Sequence, residues 1–496
     1  MKQDSFFQSI YGQSISLLTD LYELTMAYGY WKHGIADRMA SFYLSFRKKP
    51  FQGAYAIAAG LQTFILFLQS FQFDESDICY LRSLKDGEGS PLFEEGFLLY
   101  LQDLRFSCDI DAMPEGTVCF PYEPMIRVTG PILQAQLIES ALLNIINFQT
   151  LIATKASRVC YSASPDPVVE FGLRRAQGID GAIAASRAAF IGGCASTSNT
   201  LAGKLFGIPV LGTHAHSWIM AFDNERCAFT AFANALPGSC VFLIDTYDTI
   251  EGVKNAIEVA HEMKDHGHEI IGVRLDSGDL SKLSIEVRRL LDEAGLFKAK
   301  IMASNELDEY VIRDLKQQGA RINIWGVGTN LVTGKGQPAL DGVYKLSAIQ
   351  NEEKKWQYKL KVSEQWAKVT NPGLLQVKRF YRGKIAVCDA IYDLYKSFEM
   401  KEFVDLFNPS NEQMRDSSWE EKDLLVPIMR RGELVYAFPS LNEVRAYTAK
   451  ELESLPSEIR RFLNPQEYFV GLEKQLYDFK IQLLKRIRLR LFEDLS

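Results

Sequence analysis

Between residues 168 and 330, short apolar runs alternate with longer stretches whose apolar residues recur at helical spacing. Val241-Phe242-Leu243-Ile244-Asp245 is such a run and ends in a carboxylate. After it, Val253, Ala256, Ile257 and Ala260 fall on one face of a helix. The order then repeats: residues 269–276 predict a strand, 280–291 a helix, 300–305 a strand, 307–318 a helix and 321–328 a strand. Upstream, Val168-Val169-Glu170-Phe171, residues 188–193 and Ile208-Pro209-Val210-Leu211 fit the scheme as strands, the last of them buried. His214 and His216 follow that last run one residue apart, and period-two geometry points both to one face.

Strand–helix repetition of this kind implies a parallel sheet, because parallel neighbours need crossover connections. The expected class is α/β, as a closed or nearly closed barrel, with an open doubly wound sheet as the alternative. In either case functional groups collect at the carboxyl ends of the strands. There the chain sets Arg174 and Arg175, His214 and His216, Asp245 and Thr246, Arg274 and Asp276, Ser304 and Asn305, and Gly328 and Thr329. One charged strand end is ordinary, but packing does not explain six polar ends in succession around one mouth.

The rhythm is missing from residues 1–125 and 346–496, which are expected to form a second domain together beside a barrel domain at 126–345. Phe42-Tyr43-Leu44-Ser45-Phe46 alternates as a strand, residues 17–30 and 60–71 read as helices, and residues 426–437 read as a hairpin around Arg430-Arg431-Gly432-Glu433. The run at 54–71 contains Gly60, Gln62, Thr63 and Gln69 and reads as a core helix, not a membrane span. The last helix carries Lys485, Arg486, Arg488 and Arg490. It reads as packing its Leu/Ile stripe on the body in preference to lying on a membrane.

Composition narrows the class without changing it. With 496 residues, 47% of them hydrophobic and 24% charged, the chain reads as two or three globular domains. A net charge of −7 argues against a nucleic-acid-binding surface. The eight cysteines form no C-x-x-C, and residues 1–5 begin no signal-peptide pattern, so a reducing cytoplasm is expected.

The strand ends suit a phosphorylated sugar and a flat anionic ring. Gly326-Val327-Gly328-Thr329 lets a phosphate approach backbone N–H groups, although a plain tight turn has the same composition. Asp245 with Thr246, and Asp276 with Ser277, suit ribose hydroxyls or a hydrated Mg²⁺. Arg174 and Arg274 can grip phosphate or carboxylate in a fork. Phe171 offers an aromatic face, or simply core packing. His214 and His216 read as structural histidines, a nucleophile or proton carrier, or, less well, metal ligands.

Five blocks, in order, resemble the nicotinate phosphoribosyltransferases. They are Leu18-Thr19-Asp20-Leu21-Tyr22-Glu23-Leu24-Thr25-Met26, Glu170-Phe171-Gly172-Leu173-Arg174-Arg175-Ala176-Gln177-Gly178, Gly212-Thr213-His214-Ala215-His216-Ser217-Trp218, Val273-Arg274-Leu275-Asp276-Ser277-Gly278-Asp279 and Trp325-Gly326-Val327-Gly328-Thr329. The resemblance implies an irregular α/β barrel joined to an α/β domain made from both chain ends. It also implies conversion of nicotinate and phosphoribosyl pyrophosphate to nicotinate mononucleotide and pyrophosphate, coupled to ATP hydrolysis with Mg²⁺. It assigns the phosphorylated histidine to His216 and catalytic carboxylates to Asp245 and Asp276. Ring binding goes to Phe171 and Arg174, and to Tyr22 from the other subunit of a homodimer. Sugar–phosphate binding goes to Asp245, Arg274, Asp276, Gly328 and Thr329, with Thr213, Ser304 and Asn305 as further substrate contacts. A C-terminal zinc cluster carried by some members is not expected, since Cys388 is the only cysteine after residue 240.

Nicotinamide phosphoribosyltransferase is the nearest alternative. Residues 192–199 lack the acid that would accept from an amide, which favours the acid substrate. A barrel phosphosugar lyase or isomerase would want a Lys or Glu at a strand end, and a non-catalytic nucleotide-binding relative would not need His216, Asp276 and Arg274 together.

Overall fold

The computed structural model describes residues 15–396 and 400–493, and their side chains as far as residue 489. The opening stretch at 1–5 and the Arg490 side chain lie outside the described residues. The chain falls into two compact units, Met1–Leu151 with Ala339–Ser496, and Ile152–Pro338. Their boundaries lie at 151/152 and 338/339, where the loss of sequence rhythm had suggested 125/126 and 345/346.

In the Ile152–Pro338 unit, six parallel strands run in the order Ser196–Thr197, Val168–Glu170, Ile324–Val327, Lys300–Ala303, Gly272–Leu275 and Val241–Leu243. Val168–Glu170, Val241–Leu243 and Ile324–Val327 are short, buried and mostly apolar runs, as a parallel sheet covered on both faces requires. The helices between them start where acidic caps stop the strand-end loops. Asp248 accepts from the amides of Ile250 and Glu251 to start Thr249–Asp265. Asp279 starts Leu280–Glu293 and Asp308 starts Glu309–Gln317 in the same way. Of the face read from the sequence, Val253, Ala256 and Ala260 are buried and Ile257 is half-buried; Val259 and Met263 complete the buried stripe.

Two expected strands are not strands. Residues 188–191 are the last turn of the helix Ile179–Ile191, because the segment is rich in alanine and its apolar run continues a helical period. Residues 208–211 make a single parallel bridge, Val210 to Thr197, and Val210 is 49% exposed instead of buried.

The other unit interleaves both parts of the chain. Its seven-stranded sheet runs Trp356–Tyr358, Gly342–Gln350, Met39–Phe46, Ile126–Pro131, Asp109–Ala112, Val426–Arg430 and Glu433–Leu434, antiparallel throughout. N-terminal strands therefore pair directly with C-terminal ones. A second, mixed sheet of six strands contains Leu375–Arg382, Ile385–Asp393 and Phe469–Glu473. The helix Leu61–Gln69 is buried along most of its length, as the run at 54–71 implied. Among the described residues no helix is long and apolar enough to cross a membrane. The final helix, Lys474–Glu493, buries Leu476, Lys480 and Leu484 as one stripe.

Candidate active site

At the carboxyl ends of the parallel strands lies a cavity of about 470 Å³. Of the expected site residues, Phe171, Arg174, Thr213, Arg274, Asp276, Ser304, Asn305, Gly328 and Thr329 line it, together with Arg175, Ser198, His214 and Glu306.

Arg274 organises the floor. Its Nε donates to Ser304 Oγ at 2.8 Å, Nη1 to Thr213 Oγ1 at 3.0 Å and Nη2 to Asp276 Oδ1 at 2.9 Å. Its guanidinium also lies 5.4 Å from the centre of the Phe171 ring. Ser304 donates in turn to Asp276. The Asp276 amide and the Ser277 hydroxyl both donate to Asp245 Oδ2, at 2.8 and 2.6 Å. The other oxygen of Asp245 is buried and has no hydrogen-bond partner among the described residues. The ends of three strands, Val241–Leu243, Gly272–Leu275 and Lys300–Ala303, are thus cross-linked with Thr213 into one polar network.

The ring-facing side is built by close approach. A side chain at Gly326 would put its Cβ 2.8 Å from the Phe171 ring, so only glycine lets that ring lie against the strand. Arg174 sits exposed in the turn Leu173–Arg175 at the cavity mouth. Its guanidinium makes no hydrogen bond or ion pair among the described residues.

The two histidines do not share a face. His214 is buried against Phe229, Phe232 and Phe242, and its Nε2 accepts from the Leu243 amide at 3.2 Å. Burial pushes its pKa down to about 4, so the ring stays neutral. His216 opens the helix His216–Met220; its Nδ1 lies 3.1 Å from Thr246 Oγ1 and its Nε2 3.8 Å from Asp276 Oδ2. The extended backbone that would align them ends at Ala215, where the helix begins.

Tyr22 belongs to the other compact unit. It lies on the helix Leu21–Lys32 and is 48% exposed.

Sequence reading missed Glu170 as a site component. It is 1% exposed and accepts from the Gly172 amide, from Ser186 Oγ at 2.9 Å and from Thr197 Oγ1 at 2.6 Å. The available signal was an acid at the end of an otherwise apolar strand. Glu306 was missed too, although it directly follows the polar strand end Ser304-Asn305.

Comparison with known proteins agrees along nearly the whole chain. Residues 17–147 match the nicotinate phosphoribosyltransferase N-terminal domain, 167–365 the nicotinate phosphoribosyltransferase family and 376–480 the C-terminal domain. A Bacillus subtilis nicotinate phosphoribosyltransferase is 43% identical over 97% of this chain and 98% of its own length. The human one is 34% identical over 93% and 95%. The crystal structure of human nicotinic acid phosphoribosyltransferase superposes with a TM-score of 0.82 at 31% identity, covering 94% of this chain and 99% of that one. A Pyrococcus furiosus nicotinate-nucleotide pyrophosphorylase shares the fold, with a TM-score of 0.68 at 23% identity over 89% and 96% of the two chains. With these matches and a cavity lined by four of the five blocks that carry the resemblance, the chain belongs to the nicotinate phosphoribosyltransferase family.

Proposed function

We propose that this enzyme transfers the phosphoribosyl group of phosphoribosyl pyrophosphate to nicotinate, forming nicotinate mononucleotide for NAD biosynthesis, with ATP hydrolysis coupled through His216. The observation that carries the reading is an unpaired Arg174 beside Phe171, on the same cavity as the Arg274–Asp276–Asp245 network. A flat ring bearing a carboxylate fits the first pair, and a ribose with phosphates fits the second.

In this reading nicotinate stacks on Phe171 and its carboxylate meets Arg174. The lone pair of the ring nitrogen attacks the anomeric carbon. The new N–C bond forms as the C–O bond breaks, and that electron pair leaves with pyrophosphate. Asp245 and Asp276 face the positive charge building on the sugar. The N–H groups of Arg274 not taken by Ser304, Thr213 and Asp276, and the turn at Gly328 and Thr329, face the leaving group. The unpartnered oxygen of Asp245 suits a ribose hydroxyl or a hydrated Mg²⁺. Among the described residues no three His, Cys, Asp or Glu side chains gather as a metal cage. Asp245 and Asp276 would therefore hold Mg²⁺ together with the pyrophosphate, whose charge the ion neutralises.

His216 accepts the γ-phosphoryl group of ATP: a P–N bond forms on the imidazole and ADP leaves. Hydrolysis of that phosphohistidine after transfer drives the reaction forward. Tyr22 completes the ring site from the second subunit of a homodimer. The sheet closes as an irregular barrel, a reading supported by the Pro209–His214 segment, whose backbone pairs with Thr197 while its imidazole meets Leu243. Eight cysteines in no disulfide suit a reducing cytoplasm.

The deciding experiment supplies labelled nicotinate and phosphoribosyl pyrophosphate, with and without ATP, against nicotinamide as control. Labelled mononucleotide from nicotinate, stimulated by ATP, is expected. Turnover of nicotinamide alone would overturn the reading.

A further inference from the structure

Glu170 is a buried acid that transfers no group in the reaction above. It is 1% exposed, no cation among the described residues is bonded to it, and its three hydrogen bonds there all come from neutral donors. Those donors belong to three elements. Gly172 lies in the turn between Phe171 and Arg174, Ser186 is on the helix Ile179–Ile191, and Thr197 is on the neighbouring strand, next to the cavity residue Ser198. The turn is hemmed in on its other sides. The Phe171 amide donates to Val327 O at 2.8 Å, and a side chain on Gly172 would collide with Val332. The strand at Glu170 also holds the far wall, since Ser198 N donates to the Glu170 carbonyl at 2.9 Å.

We infer that Glu170 is a positioning residue for substrate choice: its carboxylate fixes the height of the Gly172 turn, and so sets the spacing between the Phe171 face and the Arg174 cation that the nicotinate carboxylate must bridge. The inference rests on the ring-site reading given above. One carboxylate oxygen takes the turn amide and the other takes both hydroxyls, so the side chain must span two anchor points. An aspartate, one methylene shorter, cannot reach both. A glutamine can: its oxygen takes the Gly172 amide while its NH₂ faces two hydroxyl oxygens, which accept as readily as they donate.

The test compares wild type, Glu170→Asp, Glu170→Gln and Thr197→Val in steady-state kinetics with each substrate varied in turn. Glu170→Asp is expected to raise KM for nicotinate about tenfold, the cost of one lost buried hydrogen bond, and to leave KM for phosphoribosyl pyrophosphate within about twofold. Glu170→Gln should stay within about threefold of wild type for both. Thr197→Val, which keeps the volume and frees one anchor, should shift KM for nicotinate in the direction of Glu170→Asp and is the arm that survives if the aspartate variant does not fold. Equal rises in both KM values, or a nicotinate KM unchanged in Glu170→Asp and Thr197→Val, would overturn the inference. A wild-type enzyme that does not turn over nicotinate would instead overturn the ring-site reading.

Discussion

Two arginine–aspartate pairs serve this protein in opposite ways. In the unit made from both chain ends, Arg379 and Asp389 lie 2.6 Å apart with both side chains 0% exposed. Glu451, the Val118 carbonyl and Tyr468 complete their hydrogen bonding, and the Tyr468 ring stacks on Phe120 with centroids 4.0 Å apart. In the parallel-sheet unit, Arg274 and Asp276 lie 2.9 Å apart but keep 13% and 31% exposure, and they line a cavity. The chemistry is the same and the closure differs. A pair with every direction filled by protein holds strands together, whereas a pair left partly open can receive a ligand. Ion-pair geometry alone does not separate the two pairs; the open cavity beside one of them does.

The largest effects should come from removing the two arginines. Arg379→Met strands Asp389 and Glu451 in the interior and should cost about 3–5 kcal/mol of stability in chemical denaturation, with turnover per folded molecule unchanged. Arg274→Met should do the reverse. We expect kcat/KM to fall by about 10²–10³, with a much smaller loss of stability. A catalytic defect in folded Arg379→Met would dissolve the distinction between the pairs.

The contrast sharpens at His216. Replacement by Asn should abolish acid-labile phosphoryl labelling from ATP and uncouple ATP use, while some transfer persists. Full labelling of that variant would move the phosphoryl acceptor elsewhere. If Tyr22 completes the site from a second subunit, Tyr22→Ala and His216→Asn subunits should partly complement on mixing. Activities that merely add, with subunit exchange confirmed, would exclude a shared site.

Arg174 tests the open side of the cavity. Loss of a charge-assisted hydrogen bond costs about 1.5–3 kcal/mol, so Arg174→Ala should raise KM for nicotinate about tenfold to a hundredfold. An unchanged KM would take Arg174 out of the ring site.

Much of this site was legible because strand ends write themselves as apolar runs closed by polar residues. Arg274, Asp276, Ser304 and Thr329 follow that grammar, and the cavity gathers all four. Residues 188–191 misled because so short an apolar run, read alone, looks the same at the end of a helix as in a strand, and the helical period shows only with the residues before it. The divergence of His214 and His216 depends on where a helix begins, and no N-cap side chain announces that start at Ala215. Lys480 was equally opaque. In a basic terminal helix it looks solvated, yet it is 3% exposed, bonded to Asn371 Oδ1 at 2.8 Å and set over the Trp366 ring.

Lys480 supplies the smallest prediction, in the closed unit. Burial pushes its pKa down from 10.5 to about 8. Between those values the unfolded chain holds a proton that the folded one has lost, so this lysine makes stability rise with pH from about 8 toward 10.5. Wild type should gain about 1 kcal/mol relative to Lys480→Met between pH 7.5 and 9. A constant difference across that interval would show that the ammonium stays charged inside the fold.

The hydrogen bond from the Leu243 amide to His214 bears on association as well as on folding. Val241–Leu243 is the last strand of the hydrogen-bonded sheet, and its outward amide, left bare, would be a template on which a foreign strand could pair. A neutral imidazole from the closing Pro209–His214 segment occupies that amide, so the ring acts as a stopper that seals the seam of the sheet. Its depressed pKa sets where the stopper fails. The unfolded chain binds the His214 proton near pH 6.5 and the folded one only near 4, so stability from this contact drains away as pH falls across that interval. A protonated ring has no lone pair left to accept from Leu243, and acid conditions would then uncover a sheet margin that neutral conditions keep hidden.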